Sequence, residues 1–306
     1  MQRESGLGGG YLRGILFCCL ATVCWSLSGA FVRTVPNIDP WTINAYRGFS
    51  AGICLLIYML LRYRGDTFRR LFPAQPMGFI VSAGFFAAGT TVYIVALSMA
   101  SVASVSVLGA TSPIFAALLA WMMIGERTSP LVLIATVMVL LGVYLIARAE
   151  EAEMQSGLLG TLLGVLVGFT FAGQTVALRR YRHVEMTPAI MYGGFLVALL
   201  VLLIHGLPIL SLRDYAVIAL MGLVQLAIPL VLYIEGAKHV PAVPAILISL
   251  GDVVLNPTWA WLTHGEPVQP GVFLGGAIIV AAILMATIWP QLRKPRVKTP
   301  IEGRPA

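Results

Sequence analysis

The stretch SLGDVVLNPTWAWLTHGE, residues 249 to 266, is strongly apolar yet carries Asp252, with Asn256 one helical turn later. A carboxylate at membrane depth is expensive and must meet a cavity or a partner. On a helix, Ser249, Asp252, Asn256, Trp259 and Thr263 recur at three- and four-residue spacing and share one face. Such a face can bind an amine or carry a proton. It can also be a packing hydrogen bond, with Asp252 protonated and Asn256 bridging helices. Arg47 is the second anomaly, a guanidinium inside an apolar run with Asn44 one turn before it. It can clamp a carboxylate or phosphate, pair with Asp252, or snorkel to the surface. A third face joins Thr22, Trp25 and Ser28 near the N-terminus, and Gly168, Phe171 and Gln174 repeat its spacing later. Aromatic rings with a few polar groups suit an organic solute, and they also suit plain helix packing. Tyr93 and Tyr233, with Thr90 and Gln225, extend this set, so the candidate substrate contacts are Trp25, Ser28, Arg47, Tyr93, Phe171, Gln174, Gln225, Asp252, Asn256 and Trp259.

The elements that must hold these side chains follow from composition. Of 306 residues, 58% are hydrophobic and 11% charged, and the mean hydropathy is +0.89. A soluble domain is normally about 25% charged, so this is a polytopic membrane chain. Ten apolar runs recur, at 14–34, 41–62, 77–99, 103–124, 130–148, 158–179, 187–205, 215–235, 243–264 and 271–289. Each can cross about 30 Å of hydrocarbon as a helix. Helices are required because an open sheet would leave backbone groups unpaired in lipid. The connections are short and leave no room for a soluble domain. Small residues such as Gly84 and Ala88 read as close helix contacts, and Pro113, Pro229 and Pro257 as bending points.

The net charge of +7 is not a nucleic-acid signal, because the basic residues sit between the runs. With a cytoplasmic N-terminus, sixteen Lys and Arg fall inside and three, Arg33, Arg148 and Arg213, fall outside. That bias puts both termini in the cytoplasm. The basic tail WPQLRKPRVK anchors the last helix or meets anionic lipid. Cys18, Cys19, Cys24 and Cys54 all lie in apolar runs and read as packing residues. No cleavable signal peptide is evident.

The chain also repeats itself. At an offset of 140, AWMMIGERTSPLV (120–132) falls on AWLTHGEPVQPGV (260–272), and Tyr93 on Tyr233. At an offset of 146, Gly14, Arg33, Tyr46 and Gly48 fall on Gly160, Arg179, Tyr192 and Gly194. Residues 1–149 and 150–290 are thus two five-helix repeats, with 291–306 a basic tail. An odd helix number inverts the second copy, which is the architecture of secondary transporters with a site near the midplane. The mirrored Glu126 and Glu266, beside glycines at helix ends, read as caps or loop ion pairs outside the substrate site.

The segments SPIFAALLAWMMIGE (112–126), VCWSLSGAFVR (23–33) and GAKHVPAVPAIL (236–247) resemble the fourth helix, first helix and eighth-to-ninth connection of the drug/metabolite transporter superfamily, EamA type. The resemblance covers nearly the whole chain and rests on the joint pattern. It implies an all-α integral membrane protein of ten helices in two inverted repeats, moving a small organic solute without a cofactor, and able to work as a monomer. One departure bears on symmetry. The first copy has Pro113 early in its fourth helix, where the second has Val253 and a later Pro257, so the two kinks are expected to differ.

Other function classes fit less well. GLGGG lacks the Lys-Ser/Thr of a phosphate loop, so ATP is not the direct energy source. A membrane aspartyl protease needs two carboxylates sharing a proton, and no second Asp lies within a run. The four histidines form no metal-binding pattern. The expectation is an exporter in a bacterial inner membrane that carries amino acids or related zwitterions, the carboxylate on Arg47 and the amine on Asp252. Uniport or exchange of sugars, nucleotides or drugs stays open, as does coupling through Asp252.

Overall fold

The structure, a computed structural model, describes residues 7–27, 31, 34–35, 37–72, 75–99, 102–149, 157–206, 208–264 and 269–288. Ser28, Arg33, Glu266 and the basic tail lie outside them. All regular elements among the described residues are helical. They are α1 (Leu7–Ser26), α2 (Pro40–Tyr63), α3 (Pro76–Met99), α4a (Val102–Gly109), α4b (Ser112–Ile124), α5 (Pro130–Ala149), α6 (Leu158–Arg180) and α7 (Thr187–His205). After these come α8 (Leu212–Met221 continued by Gly222–Ala227 and Ile228–Ala237), α9a (Ala242–Ser249), α9b (Asp252–His264) and α10 (Pro270–Thr287). Among the described residues, nine helical segments are long and apolar enough to cross a membrane, and Ala242–Asn256 is a shorter apolar helix. The first helix lies earlier than the expected 14–34. The fourth and ninth are each broken in two.

Starts and stops follow local chemistry. Pro40, Pro113, Pro188 and Pro270 sit in the first helical positions, where a missing N–H costs nothing. Asp39 caps α2 by accepting from the Thr42 amide. Gly125 ends α4b in the left-handed region, with φ 68°.

Contacts at the helix ends define two faces. On one, Tyr63 at the end of α2 donates to Glu185 before α7, and Arg179 at the end of α6 meets Glu126 after α4b and the carbonyls of Ala237 and Lys238 after α8. Burial alone would raise the Glu185 carboxyl, but hydrogen bonds from Thr187 and Tyr63 outweigh it and hold the group below its ordinary value. On the other face, Trp41 stacks on His205 and Tyr46 bonds Tyr215 and the Pro208 carbonyl. The first face carries Arg62, Arg64, Arg69, Arg70, Arg127, Arg179, Arg180, Arg182 and Lys238, and the second Arg148 and Arg213. Glu126 is therefore half of an ion pair, 3.1 Å from Arg179, away from the middle of the bundle.

Close helix crossings come from glycine pairs. A Cβ on Gly194 of α7 would stand 2.6 Å from the Gly48 carbonyl oxygen of α2, and one on Gly48 3.1 Å from that of Gly194. The expected contacts at Gly84 and Ala88 are not formed. Both residues are exposed, and a Cβ on Gly84 meets nothing within 4 Å. Sequence spacing could not tell a glycine facing a helix from one facing lipid.

Gly194→Ala is expected to destabilise the protein by about 1–3 kcal/mol, because backbone must move. Gly84→Ala is expected to be neutral or stabilising by up to about 1 kcal/mol. Melting of the detergent-solubilised variants distinguishes the two.

Candidate functional site

The breaks in the fourth and ninth helices prepare the site. α4a ends at Gly109 and α4b begins at Ser112, while α9a ends at Ser249 and α9b begins at Asp252. The offset of 140 seen in the sequence relates both pairs of positions. The expectation of unlike kinks is therefore corrected. Pro113 serves only as an early position of α4b, and Gly251 serves the second break without a proline.

A broken helix frees carbonyls that lipid cannot satisfy. Backbone amides close each break, Thr111 N reaching Leu108 O at 3.1 Å and Gly251 N reaching Ile248 O at 3.0 Å, and threonine hydroxyls add a second contact to the same carbonyls. Thr111 donates to the Leu108 carbonyl from within the first break. At the second break the hydroxyl comes from α1, where Thr22 donates to Cys18 O of its own helix at 2.8 Å and also lies 3.2 Å from Ile248 O. The same offset pairs Thr111 with Gly251, and the offset of 146 pairs Thr22 with Gly168. The threonine and the glycine have exchanged places between the halves. A Cβ on Gly168 would lie 2.9 Å from Thr111 Oγ1, and one on Gly251 3.6 Å from Thr22 Cγ2. Each break thus has one hydroxyl and one glycine beside it.

Asp252 is the first residue of α9b, where the helix dipole favours a negative charge. The break separates Asp252 from Ser249, whose hydroxyl turns back to Ala245 O. The single five-residue face expected over 249–263 is thus interrupted.

Arg47 lies seven residues into α2, about 10 Å along it, and Tyr93 six residues before the end of α3, about 9 Å from that end. Arg47 Nη2 donates to Asn44 Oδ1 at 3.3 Å, and its Nε is buried without a partner. The guanidinium reaches back toward Asn44, one turn nearer the start of α2. The Tyr93 hydroxyl is within electrostatic reach of both Arg47 and Asp252. Tyr93 nevertheless keeps 38% of its surface accessible. Arg47 and Asp252 make no ion pair with each other among the described contacts. Tyr93 of α3 thus has a cation, Arg47 of α2, and an acid, Asp252 of α9b, in its electrostatic surroundings.

The aromatic candidates gather nearby. Trp25 of α1 packs edge-on to Phe171 of α6 at 6.1 Å and against Tyr233 of α8 at 5.2 Å, while Phe171 stacks on Tyr233. Tyr233 is fully buried with its hydroxyl 3.0 Å from Thr175, so it anchors the cluster and leaves Trp25 and Phe171 half-buried above it. Trp259 donates to Ser26 at 2.8 Å and ties α9b to α1. Gln174 donates to Ser82 of α3, eleven residues before Tyr93, so it stands roughly 16 Å from the Arg47 level along that helix. It does not join Arg47 and Asp252 around Tyr93. Ser82, Ser26 and Thr175 were not foreseen; nothing in their spacing reveals a partner on another helix.

Buried polar atoms without partners remain at Asn44 Nδ2, Gln174 Oε1, Asn256 Oδ1, Ser112 Oγ and both amide atoms of Gln225. Most buried polar groups find a partner. These unmet groups come from α2, α4b, α6, α8 and α9b.

The chain was compared with known proteins. The model of the EamA-like transporter family matches residues 12–148 and again 156–288. The pseudopaline exporter CntI of Pseudomonas aeruginosa is 26% identical over 280 residues, covering 89% of this chain and 94% of that protein. The uncharacterized transporter YwfM of Bacillus subtilis is 24% identical over 286 residues, covering 91% and 95%. A solved crystal structure shares the fold, with a TM-score of 0.79 at 17% identity over 94% of this chain and 99% of that one.

Thr22→Val keeps the side-chain shape and removes the hydroxyl at the second break. It is expected to destabilise the protein by about 1 kcal/mol, seen as a lower melting temperature. An unchanged melting point would mean the Ile248 carbonyl needs no partner from α1.

Proposed function

The chain belongs to the EamA-like transporter family, and from that premise we propose that it exports a small organic zwitterion, an amino acid or a close relative, across a bacterial inner membrane by alternating access. The observation that carries the reading is that Arg47 and Asp252, of opposite charge, both lie within electrostatic reach of one phenol, Tyr93. A zwitterion carries opposite charges a few ångströms apart. Arg47 receives its carboxylate in the fork geometry suited to guanidinium, Asp252 receives its amine, and Tyr93 bridges the two. Trp25 and Phe171 supply the apolar wall. Charges held at this depth repay their burial only when matched, which favours a substrate that brings both signs.

Export is supported by the likeness to the pseudopaline exporter CntI of Pseudomonas aeruginosa. Alternating access is supported by the two helix breaks at equivalent positions, which fit an inverted pair of five-helix repeats. The unequal distribution of Lys and Arg between the faces supports cytoplasmic termini. In this account the Arg179–Glu126 pair, with the carbonyls of Ala237 and Lys238, closes the basic face.

The test is uptake of labelled amino acids into liposomes carrying the purified protein, with and without a pH gradient. Saturable uptake is expected, and Arg47→Ala and Asp252→Asn are each expected to lower kcat/KM about 10- to 100-fold, as for loss of one charge-assisted contact. Wild-type kinetics in both variants would refute the zwitterion site. Stimulation by the gradient that is lost in Asp252→Asn would assign proton coupling to that carboxyl. Gradient-independent uptake would make the protein a uniporter or exchanger.

A further inference from the structure

Gln225 sits in the one segment of α8 that departs from α-helical geometry. Residues Gly222–Ala227 form a π-helix, and the Ile228 amide donates to Leu223 O five residues back. The cause is local. Pro229 has no N–H, so the Gln225 carbonyl cannot receive the usual bond from four residues on, and the chain widens by one residue to recover pairing. Such wide turns are frequent at functional sites. Gly222, at the start of the wide turn, packs directly on α2; a Cβ there would stand 2.8 Å from Arg47 O and 3.0 Å from Ala51 N. Gln225 follows three residues later, within about one turn of the Arg47 backbone. Its side chain is 2% exposed, and neither its amide nitrogen nor its amide oxygen has a partner.

An amide buried this way weakens the fold, since both its donor and its acceptor have left water without replacement. Leu or Met would fill the space at no such penalty. α3, which the repeat register pairs with α8, runs as an unbroken α-helix from Pro76 to Met99 and has Phe85 at the position equivalent to Gln225. The wide turn and the amide are therefore not required by the five-helix repeat itself.

We infer that Gln225 reads a hydrogen-bonding group on the substrate, so that the transported zwitterion carries a polar side group able to donate and accept, such as a carboxamide or hydroxyl. This rests on the zwitterion reading above and adds a second contact to it. Arg47 and Asp252 hold the charged ends common to all amino acids. Gln225, with Asn256 Oδ1 also unpaired one turn from Asp252, selects among them.

The experiment compares wild type with Gln225→Met, and with Gln225→Leu as a second apolar variant, in two measurements. The first is melting of the purified protein, and the second is uptake of labelled glutamine and labelled leucine into liposomes. Both variants are expected to melt roughly 2–5 °C higher, because an unsatisfied amide is gone. KM for glutamine is expected to rise at least about 10-fold with KM for leucine unchanged, equivalent to losing one good hydrogen bond's discrimination. A lower melting point in both variants would show that the amide holds the fold together and would overturn the inference. So would glutamine-to-leucine selectivity equal to wild type. Absence of saturable uptake of both probes by the wild type would overturn the zwitterion reading and this inference with it, whereas saturable wild-type uptake with unaltered variant selectivity overturns this inference alone.

Discussion

A helix that stops in the middle of a membrane must have its backbone groups paired within the protein or turned toward a polar cavity, because lipid cannot pair them. The site depends on that constraint. The fourth and ninth helices break at Ala110–Thr111 and Leu250–Gly251, and a threonine hydroxyl stands at each break. One hydroxyl belongs to the broken helix itself, and the other is lent by α1. Gly168 leaves the space that the Thr111 hydroxyl needs, while the Thr22 side chain sits at ordinary contact distance from Gly251. Only with the second break stabilised can α9b begin at Asp252, which places a carboxylate at a helix start in the middle of the bundle. Without the break, Asp252 would be one more residue in a continuous apolar rod.

The rest of the architecture holds α9b against its neighbours. Glycine pairs such as Gly48 and Gly194 bring α2 and α7 into backbone contact. α2 carries Arg47, and the wide turn of α8 packs on its carbonyl. Trp259 bonds to Ser26 and fixes α9b to α1, whose Trp25 belongs to the aromatic wall. Rigid crossings and unmet buried polar groups belong together. The crossings supply the stability that the polar interior gives up, a division expected where binding and folding compete for the same residues.

Much of this was legible in the sequence. Hydropathy located, to within a few residues for most, the nine described segments long enough to cross and the shorter apolar helix Ala242–Asn256, and the placement of Lys and Arg distinguished the two faces. Asp252, Arg47, Trp25, Phe171 and Gln225 stood out because a polar or aromatic group in an apolar run has few structural excuses. Other features were hidden for physical reasons. The helix breaks carry no proline at Leu250–Gly251, and a lone glycine in an apolar run reads as packing. The Thr22–Ile248 and Trp259–Ser26 bonds join residues more than two hundred positions apart, which periodicity cannot pair. Gly84 looked like a contact glycine and faces open space, since helix spacing gives a face without saying what the face meets. Gln174 shared a face with Phe171 but lies toward Ser82, because a single stripe spans several turns and each turn meets different neighbours.

The central claim is that Arg47 and Asp252 hold opposite ends of one substrate. The most direct measurement is competition against a transported amino acid by its methyl ester and by its N-acetyl derivative, in wild type, Arg47→Ala and Asp252→Asn. Esterification removes the carboxylate charge and acetylation the amine charge. The account predicts that both derivatives compete poorly in the wild type, that esterification carries no further penalty in Arg47→Ala, and that acetylation carries none in Asp252→Asn. Equal penalties for each derivative in all three proteins would contradict it, since the two charges would then be read elsewhere.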